Sequence, residues 1–332
     1  MSASKPLERR GGENRVVNAD GKPVMVVVEG SDIDAMINRG LEAIGGLKAL
    51  IGDAGQVVLK PNTNQRDPYP SITAVDTIRA VARHCRQAGA EQVILHEDHR
   101  AELDLYYSPS DLPGVDIRIS SSHDISQYVQ VEYDKWIGDV DYDELMQLIK
   151  GQTLRGATRS LTEEFTKTTG PRIRVARALH NAPFIINLPV LKRHMMGQIT
   201  SALKNHFGSV YGAHRWIAHA VGTENRDYFD RKIAEFASAI RPELTIVDVR
   251  SLQAGWGPFI TDKTKVVEGV NRIIITGDMV AANAMALELM KKYDDTFTAD
   301  MEAIVLKQHE YAEELGLGSG DLSRIQMITI KS

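Results

Sequence analysis

Cysteine is nearly absent: Cys85 is the only one in 332 residues. The chain therefore has no internal disulfide, and it cannot build a four-cysteine zinc site or a cysteine-ligated iron–sulfur cluster. Long apolar runs are missing as well. None approaches the roughly 18 residues that a membrane helix needs. Neither sign of charge dominates, since 39 basic and 44 acidic residues leave a net charge of −5. That balance gives no global signal for nucleic acid or for an anionic membrane. Three mechanistic motifs are also absent: the phosphate loop G-x-x-x-x-G-K-[ST], the nucleophile elbow G-x-S-x-G and the zinc helix H-E-x-x-H. GLGSGD carries Gly316, Gly318 and Gly320, but it follows a helical pattern instead of joining a strand to a helix. It is expected to be a turn, not a dinucleotide site.

What is present alternates between strand and helix. Residues 1–22 are polar, and Arg9-Arg10 precede no apolar region, so a solvated tail and a cytoplasmic protein are expected. VMVVVEG reads as a strand, and 31–52 as helical with Ser31 as cap. QVVLK (56–60) is a strand. A helix expected to open at Ser71 carries Ile72, Val75, Ile78, Ala82 and Cys85 at helical spacing, Gly89 follows it, and QVILH (92–96) is the next strand. This βαβ unit implies parallel pairing. Residues 101–178 are less regular and read as an insertion or small lobe, with a strand at VQVEYD and helices around 141–150 and 161–168. The parallel pattern resumes over 179–332 with PFIINLPVL, ELTIVDV and NRIIITG, then a helix and the terminal strand IQMITI. The expected fold class is α/β: a mostly parallel sheet flanked by helices, in two α/β lobes with a cleft at the carboxyl ends of the strands. Residues 23–100 supply its first segment and 179–332 complete the sheet.

Ligands of such sheets bind beyond the carboxyl ends of the strands. Polar groups follow each predicted strand there: Lys60, Asn62 and Thr63; Glu97, Asp98 and His99; Lys192 and His194; Asp248 and Arg250, then the turn AGWGP; and Asp278. The third group opens LKRHMMGQITSALKNHFG (191–208). From Leu191 to Thr223 there is no Asp or Glu, where the overall composition would place about four. The same window holds Lys192, Arg193, Lys204, Arg215 and four of the ten histidines, His194, His206, His214 and His219. This pattern suits a pocket for a small anion, carboxylate or phosphate. Lys60, Lys192, Lys204 and Arg215 would supply charge, and Asn62, Thr63 and Asn205 would orient the ligand. His194, with His219 on the same helical face as Arg215, would move a proton or ligate a metal. A helix expected near Gln198 or Thr200 would add its free N–H groups. Glu97, Asp98 and His99, and separately Asp278, are candidate ligands for a hard metal; for Asp278 a helix cap is the alternative.

Four blocks in order resemble the bacterial family known as domain of unknown function 362. VVLKPN matches its K-P-N after the first strand. INLPVLKRHMMGQITSALKNHFG matches a block of the form I-N-L-P-x-x-K-x-H…T-x-x-x-K-N-x-x-G. TGDMVAANAMA resembles D-P-V-A-x-D-A, with Met279 for the usual Pro and Asn283 for the second Asp. GLGSGDLSRIQMI resembles the closing glycine-rich strand. The likeness spans about residues 50–330 and singles out Lys192, His194, Lys204 and Asn205. Many members of that family carry a cysteine-rich ferredoxin module, which this chain lacks, so no redox role is carried over. A more distant likeness joins RDPYPSITAVDTIRAVARHCRQAGAEQVILHEDHR to the lactate racemase family, in which a nickel–pincer nucleotide and histidines move a hydride or proton. That resemblance implies a two-lobed α/β enzyme with a cleft for an anionic ligand. No nucleophile–base pair is apparent among the candidate residues, so an isomerase or oxidoreductase type fits them best. The expected function is thus proton or hydride movement on a small anionic substrate, with a divalent metal or nucleotide-like cofactor left open. The alternative is a non-catalytic carrier of an anionic metabolite. Neither nucleic acid nor a membrane is an expected partner, and a homo-oligomer is left open.

Overall fold

The computed structural model describes residues 7–11, 13–63, 67–97, 107–120, 124–131, 173–223 and 225–332. Asp98, His99 and the two helices expected at 141–150 and 161–168 lie outside the described residues. In chain order the elements are β1 (Val24–Glu29), α1 (Ile33–Ala43), α2 (Leu47–Ile51), β2 (Gln56–Pro61), α3 (Val75–Gln87), β3 (Gln92–Glu97), β4 (Asp116–Ile119), β5 (Tyr128–Val131), β6 (Ile173–Ala176) and α4 (Arg177–His180). They continue with β7 (Ile185–Leu188), β8 (Val190–His194), β9 (Gln198–Thr200), a 3-10 segment Lys204–Ser209, α5 (Gly212–Gly222), α6 (Arg226–Ser238), β10 (Leu244–Ala254), β11 (Lys265–Val267), β12 (Arg272–Thr276), α7 (Met279–Tyr293), α8 (Ala299–Glu314) and β13 (Gln326–Lys331).

Two helix starts differ from the sequence reading. Asp32, not Ser31, caps α1, its carboxylate accepting from the N–H groups of Asp34 and Ala35. The helix predicted from Ser71 begins only at Val75, because long-range bonds hold the residues before it. Ser71 Oγ donates to Gln253 Oε1, and Thr73 Oγ1 accepts from Asn62 N and donates to the Leu188 carbonyl. The stretch read as a solvated tail packs on the body. Val16 is buried, and the Arg10 guanidinium donates to Glu243 at 2.6 Å and to the Ala182 carbonyl at 2.9 Å.

The main sheet runs in the order β13-β1-β12-β10-β7-β2-β3-β4. Along this order all pairings are parallel except those of β12, which lies antiparallel to both β1 and β10; off it, β11 adds antiparallel to β10, and β8, parallel to β10, carries β9 antiparallel. It is therefore a mixed, mostly parallel α/β sheet. Successive apolar residues of each strand face opposite sides, as the period of two requires. Val57, Leu59, Val93 and Leu95 pack with α1, α2 and α3, whereas Val58, Ile94, Ile185 and Val247 pack with α6, α7 and α8. Both faces are thus covered, and this burial explains why the strands read as continuous apolar runs.

From β2 the chain builds outward through β3 and β4, then returns to place β7 on the other side of β2. The strand order reverses between β2 and β7, and such a switch point opens a crevice at the carboxyl ends of the strands. The reversal of β12 moves Asp278 to the opposite edge of the sheet, beside Pro23 and Pro242, which precede β1 and β10. It does not join the other strand-end groups. Its carboxylate caps α7, accepting from the N–H groups of Val280 and Ala281 at 3.0 and 2.9 Å.

Candidate functional site

Above the β2–β7 crevice lies a cavity of about 210 Å³. Of the sequence-predicted residues, Lys60, Asn62, Thr63, Glu97, His194, Lys204, Asn205, Arg215 and His219 line it. The sequence reading missed Met195, Thr200, Phe207, Gly208, Pro258 and Phe259, which complete the wall. Phe207 and Gly208 end the quoted basic stretch, and Pro258 and Phe259 belong to and follow AGWGP, so position after a strand was the signal that would have found them.

A chain of amides forms the floor. The ammonium of Lys192 donates to the Ser71 carbonyl at 2.6 Å and to Asn62 Oδ1 at 3.2 Å. Asn62 Nδ2 donates to Asn205 Oδ1 at 3.1 Å, and Asn205 Nδ2 donates to Asn187 Oδ1 at 2.8 Å and to the Lys60 carbonyl at 3.2 Å. Asn187 Nδ2 closes the chain on the Ala202 carbonyl at 3.0 Å. The side chains of β2, β7 and the 201–208 loop are thereby tied together across the switch point. Lys192 and Asn205 hold this lattice, and Lys192 does not line the cavity itself.

Two lysines in the wall have opposite surroundings. Lys60 is buried and paired with Glu97, Nζ to Oε2 at 2.9 Å, and also donates to the Pro61 carbonyl. Gly208 rests on this pair, since a Cβ there would sit 2.6 Å from Glu97 Oε1 and 2.9 Å from Lys60 Nζ. Glu97 is therefore engaged as a counter-ion. Lys204, only 6% exposed, has no hydrogen-bond or acidic partner among the described residues. Its ammonium lies 4.2 Å from the centroid of Phe207. Burial, followed by the charge of Arg215, pulls its pKa down to about 7. Gly197 makes room for its stem, because a Cβ at 197 would be 2.7 Å from Lys204 Cδ.

The two imidazoles are complementary. His194 ends β8, and its Nδ1 accepts from the backbone N–H groups of Met196 and Gly197 at 3.1 and 3.0 Å. A nitrogen that accepts two N–H bonds carries no proton, so in the neutral ring the proton sits on Nε2. Burial first, then the charges of Lys204 and His219, push its pKa well below the ordinary histidine value. His194 is thus a neutral donor whose basic nitrogen is already engaged. His219 on α5 is the reverse. Its Nδ1 bonds the Arg215 carbonyl at 2.7 Å, which assigns the proton to Nδ1 and leaves a lone pair on Nε2. Its pKa is pushed down to about 4 by burial and then by Lys204. The two ring centroids are 6.1 Å apart.

Other candidates fall elsewhere. Gln198–Thr200 forms β9, paired antiparallel with β8 through His194↔Gln198, so the helix expected there is replaced by a hairpin and its N-terminus is not available to an anion. His206 Nδ1 bonds Ser209, and His214 Nε2 accepts from Arg174 N at 2.7 Å. Both are buried, and neither lines the cavity. No cluster of three or more His, Cys, Asp or Glu suited to a metal occurs among the described residues. Thr63 Oγ1, fully buried in the wall, has no hydrogen-bond partner among them.

Fold and site together define an α/β protein with a polar pocket at its switch point, lined by a lysine without an acidic partner among the described residues, an imidazole donor and an imidazole acceptor. The chain belongs to the family described as Domain of unknown function (DUF362), whose model matches residues 57–288, from β2 into α7. It is 25% identical over 245 residues to a thylakoid-associated protein of Synechocystis sp., covering 72% of this chain and 65% of that protein. Among solved structures it is similar to a structural-genomics protein from Thermotoga maritima, at 13% identity and a TM-score of 0.46 over 80% of this chain and 60% of that one. It is also similar to the lactate racemase apoprotein of Thermoanaerobacterium thermosaccharolyticum, at 11% identity and a TM-score of 0.49 over 80% of this chain and 56% of that one. The chain spans less than two thirds of the length of each of these proteins. No helix among the described residues is long and apolar enough to cross a membrane.

Proposed function

We propose that this protein is an enzyme that binds a small carboxylate at the switch point and moves a proton on the carbon beside it. The observation that carries the reading is Lys204: a buried ammonium on a cavity wall with no partner among the described residues. A buried cation without a counter-ion is costly, and an anionic ligand relieves that cost. The neighbouring Nε2–H of His194 supplies a second donor, and two donors match the two oxygens of a carboxylate. The charge of Lys60 is already met by Glu97, which leaves Lys204 as the wall lysine open to an anion.

His219 is the base in this reading. Its Nε2 lone pair is open, and the ring is oriented through Nδ1. In the ligand-free site burial, and then the charge of Lys204, depress its basicity; a bound carboxylate offsets the Lys204 part. The fit to a metal is partial: His219 Nε2 is an open donor, but the described residues add no further cluster of ligands. Exchange of the α-proton of lactate and butanoate, followed by proton NMR in D2O, tests the proposal. The wild type is expected to exchange at least one of them, and His219→Gln to bind it without exchange. Binding without exchange in both proteins would replace the enzyme with a carrier.

A further inference from the structure

The mouth of the cavity is apolar and is held rigidly. Eleven large hydrophobic side chains are exposed among the described residues, and five of them, Met195, Trp216, Trp256, Phe259 and Ile260, belong to segments that border the cavity. The other six lie in other segments of the chain. Met195 and Phe259 line the cavity although they are 55% and 56% exposed. Trp216, 59% exposed, lies on α5 about 60° around the helix axis from His219. The hairpin turn and the 256–260 loop are locked together. Met195 N donates to the Gly257 carbonyl at 2.9 Å, Gln253 Nε2 donates to the Trp256 and Pro258 carbonyls, and a Cβ at Gly257 would lie 2.0 Å from the Arg193 carbonyl oxygen.

The cavity itself is small. About 210 Å³ is room for roughly seven waters and falls short of the ~300 Å³ at which pockets for whole drug-sized ligands begin. At Met195 and Phe259 the cavity wall runs out into exposed apolar surface, and apolar surface beside such a pocket marks a ligand groove. From this geometry we infer that the ligand is amphiphilic: its carboxylate head enters to Lys204 and His194, and an apolar chain leaves over Met195 and Phe259. This rests on the carboxylate reading above and extends it to a substrate class, a carboxylic acid bearing an alkyl or similar apolar tail.

Calorimetric titration of acetate, hexanoate and dodecanoate into the wild-type protein, Lys204→Met and the double variant Met195→Ser/Phe259→Ser tests it. Affinity is expected to rise about tenfold or more from acetate to hexanoate. In the double variant the hexanoate-to-acetate ratio collapses towards one. Equal affinity for the three acids in the wild type, all lost in Lys204→Met, would overturn the tail and leave the carboxylate pocket standing. A chain-length preference unchanged in the double variant would also overturn it. Binding indifferent to Lys204 would remove the carboxylate reading itself.

Discussion

At His194 two ring nitrogens have two separate duties, and two substitutions divide them. Asparagine carries a carbonyl near the Nδ1 position and keeps the acceptor for Met196 N and Gly197 N; glutamine reaches the Nε2 position and keeps a donor for the ligand. His194→Asn is expected to retain thermal stability and lose carboxylate affinity, and His194→Gln to show the opposite order, read by melting curves and calorimetry. Lys204 gives a pH signature. Its folded pKa of about 7 lies below its ordinary value, so the unfolded chain binds more protons from about pH 7 to 10.5, and stability contributed by this residue rises with pH over that window. Below pH 7 the wild type bears the full cost of a buried ammonium. Lys204→Met is therefore expected to melt higher than the wild type at low pH, with the gap closing above pH 7. Carboxylate affinity runs the other way and falls about tenfold per unit above pH 7. A flat affinity across that window would remove Lys204 as the anchor. Lys192, His194, Lys204 and Asn205 were legible because they follow a buried strand in an acid-free window. The duties of Lys192 and Lys60 were not legible, since their partners Ser71, Asn62 and Glu97 lie 37 to 130 residues away in sequence.

The β2–β3 pair and the β8–β9 hairpin supply the walls. Lys60 and Glu97 leave neighbouring parallel strands and meet in a buried ion pair. Lys60→Met alone is expected to cost ~3–5 kcal/mol in urea unfolding, and Lys60→Met/Glu97→Leu to recover much of it, because the desolvated carboxylate is removed with its cation. An additive double variant would deny the coupling. Gly197→Ala pushes on Lys204 Cδ and is expected to weaken acetate binding more than it lowers the melting temperature. Strands were legible at this scale because a sheet covered on both faces needs continuous apolar runs. The helix expected at Gln198 and the helix start expected at Ser71 were not, because hairpin pairing and the hydrogen bonds of Ser71 and Thr73 override local preference.

Across the whole molecule, the reversal between β2 and β7 places the pocket, and the antiparallel β12 separates Asp278 from it. The alternating pattern made the α/β class legible, but strand direction within it was not, because an apolar run reads the same in either direction. Asp278→Ala is expected to cost ~1 kcal/mol through loss of the α7 cap and to leave acetate affinity unchanged, since the cap stands at the far edge of the sheet. A fall in affinity with that variant would join Asp278 to the site. The central claim is that Lys204 anchors a carboxylate, and calorimetry of acetate against the wild type and Lys204→Met near pH 6 tests it most directly. Saturable binding by the wild type, weakened at least tenfold in the variant, is the predicted result; equal binding by the two proteins, or none by either, would contradict it.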